Sequence, residues 1–139
     1  MKVKNKTIEL KTRGFPDIID LSGHIEKFMD SENLDSGLLT IFVPGSTAGI
    51  TTLEYEPGLL KDLPALCEKL APRGIPYEHD NMWHDGNGFS HVRASLIGAS
   101  LNVPFSNGTL NLGTWQQIVF LDFDNRSRSR MVLLQFMGK

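Results

Sequence analysis

The run Leu38–Val43 constrains the fold of this 139-residue chain more than any other segment. Its sequence, Leu-Leu-Thr-Ile-Phe-Val, is apolar at all but one position, and it lies between the turn residues Asp35-Ser36-Gly37 and Pro44-Gly45. A short apolar run between turn signals is typical of a strand inside a sheet rather than at its edge. The run therefore predicts a central strand with further strands beside it.

Periodicity assigns the elements around this strand. Residues 2–11 alternate weakly with a period of two, which predicts an edge strand, and the branched residues of Ile50–Tyr55 predict another strand. Apolar residues between Ile18 and Met29 recur at spacings of three and four. They predict a helix that opens at Phe15-Pro16-Asp17. Residues 57–71 predict a second amphipathic helix.

The second half of the chain predicts more strands. Asn107-Gly108 lies between two alternating segments and is a strong hairpin signal, because a type I′ turn needs positive φ at both central residues. Trp115–Asp122 and Met131–Phe136 predict an antiparallel pair, whereas Val92–Ile97 favours a helix on its alanine and leucine content. The chain is therefore expected to be α+β: a single compact domain over residues 1–139, a mostly antiparallel sheet or sandwich with two main helices.

Composition excludes several classes of protein. A formal net charge of −2 gives no electrostatic reason to expect nucleic acid or an acidic membrane as partner. No apolar run reaches the roughly 18 residues that a membrane span needs. The single cysteine, Cys67, excludes an intrachain disulfide and favours a reducing, cytoplasmic location. Its helical spacing to Leu66 and Leu70 favours a buried thiol over a nucleophile.

Residues 77–91 hold three of the four histidines, His79, His84 and His91, interleaved with Asp85 and Asn87. Imidazole nitrogen and carboxylate oxygen suit a divalent metal such as zinc, and they suit proton transfer near neutral pH. The spacings of five and seven residues do not match the helical HExxH motif, although a loop can gather ligands at such spacings. Histidines that cap backbone groups in an ordered loop are the alternative.

Glu54 is the one carboxylate in an otherwise uncharged β segment. Alternation places it on the face of Ile50 and Thr52, where a charge is costly unless it is paired or bound to metal. An edge-strand glutamate that faces water fits the pattern equally well.

The loop after the central strand, residues 44–52, is rich in small and hydroxyl side chains, including Ser46 and Thr47. Such a loop lets backbone N–H groups approach an anionic ligand closely. It is not a P-loop, since it contains no Gly-Lys-Ser/Thr sequence. An ordinary tight connection between strands is as good an interpretation.

Three arginines, Arg126, Arg128 and Arg130, alternate with serines before the last strand. In extended chain they point to one side and form a strip that suits phosphate. A solvated turn is the alternative. Three arginines without an aromatic platform argue against a nucleic-acid partner.

Taken together, these motifs resemble the YjbQ-like family. The matching segments are STAGITTLE (residues 46–54), YEH (77–79), DGNGFSH (85–91), ASLIG (94–98), Val103-Pro104, NGTLNLGTWQQI (107–118) and the acidic pair Asp122 and Asp124. Members are known as secondary thiamine-phosphate synthases, which join a pyrimidine diphosphate to a thiazole phosphate and release pyrophosphate. The resemblance implies a small α+β domain, a homo-oligomer that is a trimer, and a divalent metal, zinc or magnesium.

The resemblance also implies a site. It assigns His79, His91 and Glu54 as metal ligands, with Glu54 alternatively a general base, and it places Asp85 and Asn87 beside them. Many members carry a histidine where this chain has Gly45. Either His84 replaces that histidine in space, or the site works with fewer nitrogens.

Three functions follow. The first is a metal-dependent enzyme that acts on a phosphorylated small molecule, by synthase-type coupling or by phosphoester hydrolysis. The second is a non-catalytic oligomer that binds a metal or metabolite. The third gives the histidine-rich segment a structural role at a subunit interface.

Overall fold

Two antiparallel sheets form the framework of the computed structural model, which describes residues 1–139. The larger sheet has the strand order β1-β8-β3-β5-β6, and the smaller has the order β2-β7-β4. The elements, in chain order, are β1 (Lys2–Thr12), β2 (Asp17–Asp20), α1 (Ser22–Glu32), β3 (Gly37–Phe42), β4 (Ala48–Leu53), α2 (Leu59–Leu70), α3 (Glu78–Trp83), α4 (Gly88–Ile97), β5 (Ser100–Ser106), β6 (Thr109–Leu110), β7 (Gln117–Asp122) and β8 (Arg128–Gly138). This α+β architecture confirms the predicted fold class, with four helices rather than two.

The main core lies between the two sheets. Alternate residues of β8 point inward, with Val132, Leu134 and Phe136 buried, and α1 closes the core with Ile25 and Phe28. β3 lies between β8 and β5, which confirms the predicted central strand. Only one face of β3 is buried, however, and the other face of the larger sheet is open.

β7 is buried on both of its faces. One face joins the main core, and the other packs under α2 and α4 through Val119 and Leu121. Cys67 of α2 is buried in this second cluster, and burial raises the pKa of its thiol. The prediction of a structural thiol agrees with this position.

One predicted element and one predicted strand pairing are wrong. Asp17–Asp20 forms β2 rather than the first turns of a helix, because it pairs with β7, and α1 begins only at Ser22. The Asp20 carboxylate accepts a hydrogen bond from the Ser22 amide at 2.9 Å and so marks the helix start. The segments predicted as an antiparallel pair are β7 and β8, which belong to different sheets, because the chain crosses from one sheet to the other between them.

Other predictions are confirmed. The Asn107-Gly108 turn joins β5 to β6, with φ of 53° and 71° at the two residues. Residues 92–97 are helical, although the helix already begins at Gly88. No helix is long and apolar enough to cross a membrane.

Candidate functional site

The histidine-rich segment forms a corner of two short helices rather than a loop. α3 ends at Trp83. The next residue, His84, has a left-handed φ of 55°, and Gly86 with φ of 67° continues the turn. The Asp80 carboxylate accepts a hydrogen bond from the Gly88 amide at 2.9 Å and fixes the start of α4. The corner brings His79 of α3 against His91 of α4.

The two imidazoles contact each other. Their ring centroids are 4.2 Å apart, at an interplanar angle of 44°, and both side chains are partly buried. His79 Nε2 also lies 3.3 Å from Asp85 Oδ1. Burial, and then the neighbouring His79, lower the pKa of His91, against a smaller opposing effect of Asp85. His91 is therefore a neutral imidazole at neutral pH, the form that binds metals.

The Asn87 carboxamide lies between this pair and a buried carboxylate. Its oxygen is 3.1 Å from His79 Nε2, and its nitrogen is then 3.4 Å from Asp124 Oδ1. Rotated by half a turn, the amide would instead donate to Asp85 Oδ1 at 2.9 Å and to His79 Nε2 at 3.1 Å. The rotated amide donates to both neighbours, whereas in the first orientation its oxygen faces the space beside His79 and Asp85.

An ionic network of Asp122, Asp124, Arg128 and Arg130 packs next to this corner. Arg130 donates to both oxygens of Asp122, at 2.8 and 2.9 Å, and Arg128 donates to Asp124 Oδ2 at 2.9 Å. Both carboxylates are at most 1% exposed. The Thr47 hydroxyl donates to Asp124 Oδ2 at 3.0 Å and accepts from Arg130 Nη2. The network therefore ties the loop after β3 to both sheets.

The same contacts set the charge states. Burial alone would raise the pKa of Asp124, but hydrogen bonds from the Asn125 amide and Thr47 outweigh it and hold that pKa below its usual range. Hydrogen bonding to Asp122 raises the pKa of Arg130. With Asp80 and Asp85 nearby, the region has four carboxylates against two guanidinium groups, a balance that favours a cation.

An open groove of about 420 Å³ passes beside His91. Its wall includes Gly45 and Ser46 on one side and Ser95 of α4 on the other. A Cβ on Gly45 would lie 3.3 Å from Arg130 Nη1, so a guanidinium edge lies directly behind this wall. The groove is the space in which a small molecule can reach His91.

Some predicted site residues lie elsewhere. Glu54 is exposed, one residue beyond β4, whereas Ala48 at the other end of that strand adjoins the site. Six extended residues span about 20 Å, so Glu54 does not meet the histidines within one copy of the chain. Of the two interpretations of Glu54, a glutamate at an edge strand that faces water agrees with this position, and a ligand beside the histidines of the same chain does not. His84 is exposed and outside the histidine–carboxylate cluster, and Arg126 is exposed in the turn before β8.

Three acidic residues of this region were not predicted as site residues from their chemistry. Asp80 lies in a cluster with His79 and Asp85 whose ligand atoms are within 4.8 Å of one another, and Asp122 and Asp124 hold the arginines. Asp122 and Asp124 are two residues apart, and so are Arg128 and Arg130, so each pair can point to one side of an extended chain. Because β7 and β8 belong to different sheets, this spacing does not by itself indicate that the two pairs meet.

Fold and site together define a small α+β sandwich protein with one polar corner at the end of its sheets. A family model described as "UPF0047 protein YjbQ-like" matches residues 6–139, and the chain belongs to this family. A UPF0047 protein of Archaeoglobus fulgidus is 38% identical over 126 residues, covering 91% of this chain and 96% of that one. The UPF0047 protein YugU of Bacillus subtilis is 36% identical over 135 residues, covering 96% and 98%.

Solved structures show the same fold. A YbjQ-like protein of unknown function from Sulfolobus solfataricus P2 superposes with a TM-score of 0.93 at 27% identity, covering 99% of both chains. A hypothetical protein from Aeropyrum pernix K1 gives a TM-score of 0.91 at 32% identity, covering 98% of this chain and 99% of that one.

Proposed function

We propose that this chain is a small metal-dependent enzyme that acts on a phosphorylated small molecule. One observation carries the proposal. Asp85 Oδ1 lies 3.3 Å from His79 Nε2, an atom of the Asn87 amide lies 3.1 Å from the same nitrogen, and the ring of His91 is beside them. Such convergence of acceptor atoms is favourable when a cation lies among them.

We propose that His79 and Asp85 hold a divalent metal. Their ligand atoms form a cluster with an Asp80 oxygen within 4.8 Å, and His91 would join them by turning a ring nitrogen toward them. Two ligands about 2.05 Å from a tetrahedral zinc are roughly 3.3 Å apart, which matches the 3.3 Å between His79 Nε2 and Asp85 Oδ1. Imidazole with carboxylate suits zinc better than magnesium, which prefers oxygen ligands and retained waters. When bound, such a metal would act as a Lewis acid that stabilises charge developing on a phosphate oxygen.

The chain's own residues would orient the bound groups and transfer protons. His91 is neutral and borders the groove, so either its free nitrogen binds the metal or it accepts a proton from a substrate group. Asn87 can turn its oxygen toward the cation while its nitrogen faces Asp124 at 3.4 Å. The Asp85 side chain is 46% exposed, so its carboxylate has room to turn toward a bound metal.

Substrate phosphate would lie against Gly45 and Ser46. Arg128 and Arg130 are engaged by Asp124 and Asp122, so they do not form the free strip that their spacing predicted. Only the Nη1 edge of Arg130, next to Gly45, remains directed at the loop. With one partly neutralised guanidinium available, the metal would carry most of the charge stabilisation.

Two reactions fit this arrangement. In the coupling that the family resemblance suggests, a C–N bond would form between the thiazole and pyrimidine halves as the diphosphate leaves. In phosphoester hydrolysis, water would attack the phosphorus atom of a substrate in the groove, the P–O bond to the alcohol would break, and the alcohol would leave with a proton from the attacking water. Both use the same metal and groove, and they differ in whether a second organic substrate is consumed.

Zinc stoichiometry tests the site. Equilibrium dialysis should give close to one zinc per chain for the wild type and for His84→Ala and His24→Ala, which remove exposed histidines outside the cluster. His79→Ala and His91→Ala should each bind zinc at least about tenfold more weakly. Unchanged zinc affinity in both variants would indicate that the corner has only a structural role.

Turnover tests the reaction. Zinc-loaded protein should convert phosphorylated thiamine precursors, or release phosphate from a monoester, and Asp85→Asn should abolish the activity. Zinc binding without turnover of either kind would favour the second candidate, a non-catalytic metal- or metabolite-binding protein. The pairing of Arg128 and Arg130 with buried aspartates is the observation that favours that alternative.

We also propose that the chain works as a homo-oligomer, a trimer by its family resemblance. Exposed apolar side chains such as Trp115, which is 70% exposed, support association. Sedimentation velocity tests this directly.

A further inference from the structure

A cavity of about 340 Å³, here called the α1 cavity, lies between α1 and the segment from Gly108 to Ile118. None of its lining residues belongs to α3, to α4 or to the groove beside His91, so it is separate from the proposed metal site. Its volume falls in the range of small-molecule sites, roughly 300–1,000 Å³. The segment contains most of the motif NGTLNLGTWQQI, to which the metal site and the groove give no role.

The floor of the α1 cavity is apolar. Met29 of α1 and Ile118 of β7 are 5% and 1% exposed, and Leu110 and Leu112 pack against the same core. An apolar or aromatic body that lies on this floor would displace water from it, which is favourable.

The wall opposite α1 is held in place. The Gly108 amide donates to Asp35 O at 2.8 Å, and the Leu21 amide donates to Ile118 O at 2.9 Å, so both ends of the segment are fixed. Between them, the Gln116 side chain accepts a hydrogen bond at 2.7 Å from the backbone of the turn before β7. The cavity is therefore preformed, and a ligand would have little of the chain to order.

The charged groups at the rim are all negative. Glu26 and Asp30 are exposed, lie four residues apart on the face of α1 that lines the cavity, and form no ion pair within the chain. No lysine, arginine or histidine lines the cavity. Like charges at this helical spacing repel each other, and a cation between them would relieve the repulsion. The same charges oppose an anionic ligand.

We infer that the α1 cavity binds a small organic cation, an amine or amidine attached to an apolar or aromatic body. The body would lie on Met29 and Ile118, and its N–H groups would donate to the carboxylates of Glu26 and Asp30. Such a ligand is opposite in charge to the phosphorylated substrate proposed for the groove. The inference therefore adds a second binding site, and it does not rest on the proposed metal site.

NMR titration of the full-length, ¹⁵N-labelled protein with benzamidine tests the inference. Benzamidine should shift the amide signals of α1 and of residues 108–118, with a dissociation constant of about 1 mM for so small a ligand. Benzyl alcohol, which has the ring without the charge, should bind about fivefold more weakly, because it forms no ion pair with the carboxylates. Benzoate should cause no shift at these residues.

Variants test the two parts of the cavity separately. Glu26→Gln and Asp30→Asn should each weaken benzamidine binding about threefold, as expected for exposed charge pairs. Glu32→Gln is the matched control, since it removes the same charge from the same helix at a carboxylate that pairs with Lys4 at 3.2 Å. Thr109→Trp, at an exposed position of the wall, should fill the cavity and weaken binding at least about tenfold. Circular dichroism checks that each variant folds.

Four results would overturn the inference. Absence of shifts at about 20 mM benzamidine would reject a ligand site, and shifts confined to α3 and α4 would reject this cavity. Equal affinity for benzamidine and benzyl alcohol would reject the cationic class of ligand. An equal loss of affinity in Glu32→Gln and in the two rim variants would reduce the effect to the overall charge of α1. The carboxylate variants decide the matter even if Thr109→Trp does not fold.

Discussion

His79 and His91 lie on different helices, and their ring centroids are only 4.2 Å apart. Asp85 Oδ1 lies 3.3 Å from His79 Nε2, so a carboxylate adjoins the pair. The proposed function depends on this convergence of two imidazoles and a carboxylate.

His91 should titrate below the ordinary histidine pKa of about 6.5. Burial disfavours its charged form, and so does the charge of His79 when it is protonated. Because the pKa is lowered in the folded state, the contribution of His91 to the free energy of unfolding is complete above about pH 6.5. It is lost as the pH falls through the lowered pKa. NMR titration of the ring nitrogens measures this pKa.

The His79→Asn variant is the control for this titration. It removes the neighbouring charge but leaves the burial, so the pKa of His91 should rise only part of the way toward its ordinary value. A wild-type His91 that titrates above 6.5 would contradict the geometry of the pair.

Gly88→Ala should disturb the helix corner and weaken zinc binding. A Cβ at Gly88 would lie 2.6 Å from Tyr77 Cβ and 2.9 Å from Tyr77 Cγ, so the segment before α3 would have to move. His79 follows Tyr77 by two residues and would move with it. Isothermal titration calorimetry with zinc should show a loss of about tenfold or more in affinity.

Gly23→Ala serves as the matched control. Gly23 lies in the first turn of α1, and a Cβ there has nothing within 4 Å. This variant should keep its zinc affinity and gain about 0.5–1 kcal/mol in the free energy of unfolding. Equal zinc affinity in the two glycine variants would refute a role for close packing at Gly88.

Asp122→Ala should be strongly destabilising. Asp122 is fully buried, and Arg130 is only 12% exposed, so the variant leaves a guanidinium without its bidentate partner. A loss of about 3–5 kcal/mol in urea unfolding is expected. The double variant Asp122→Leu with Arg130→Met should lose less, because no buried charge then lacks its partner. A loss below about 1 kcal/mol in the free energy of unfolding for Asp122→Ala would show that water solvates the Arg130 guanidinium and that the ion pair adds little.

Cys67 should react slowly with thiol reagents. It is 6% exposed, and burial raises its pKa, so little thiolate is present near pH 7.5. Arg93 of α4 donates to Ala71 O at 2.9 Å and to Glu68 at 2.8 Å, and these bonds hold α2 beside α4. Arg93→Met should therefore speed the reaction severalfold by local opening. A wild-type rate equal to that of an unfolded control would exclude this packing.

Local patterns predicted much of the fold. The alternation of residues 2–11, the apolar run at β3 and the Asn107-Gly108 turn each depend on near neighbours, and each gave the correct element. Ile18 and Ile19 were misassigned because their spacing to Leu21 and Ile25 also fits a helical face. Only pairing with β7, a hundred residues downstream, selects the strand.

The site was predicted in part for the same reason. His79 and His91 come together because Asp80 and Gly86 shape a turn within the segment, so local sequence carried the information. Glu54 was expected beside them on the strength of the family resemblance, but the direction of β4 places it at the far end of the sheet. The partners of Arg128 and Arg130 depend on how β7 and β8 face each other across two sheets, which no local pattern encodes.

Anomalous diffraction at the zinc absorption edge, from crystals grown with one equivalent of zinc, tests the central claim most directly. The account predicts a single peak about 2.0–2.2 Å from a nitrogen of His79, a nitrogen of His91 and an oxygen of Asp85. No peak at the corner of α3 and α4, or a peak only at the exposed His24 or His84, would contradict it.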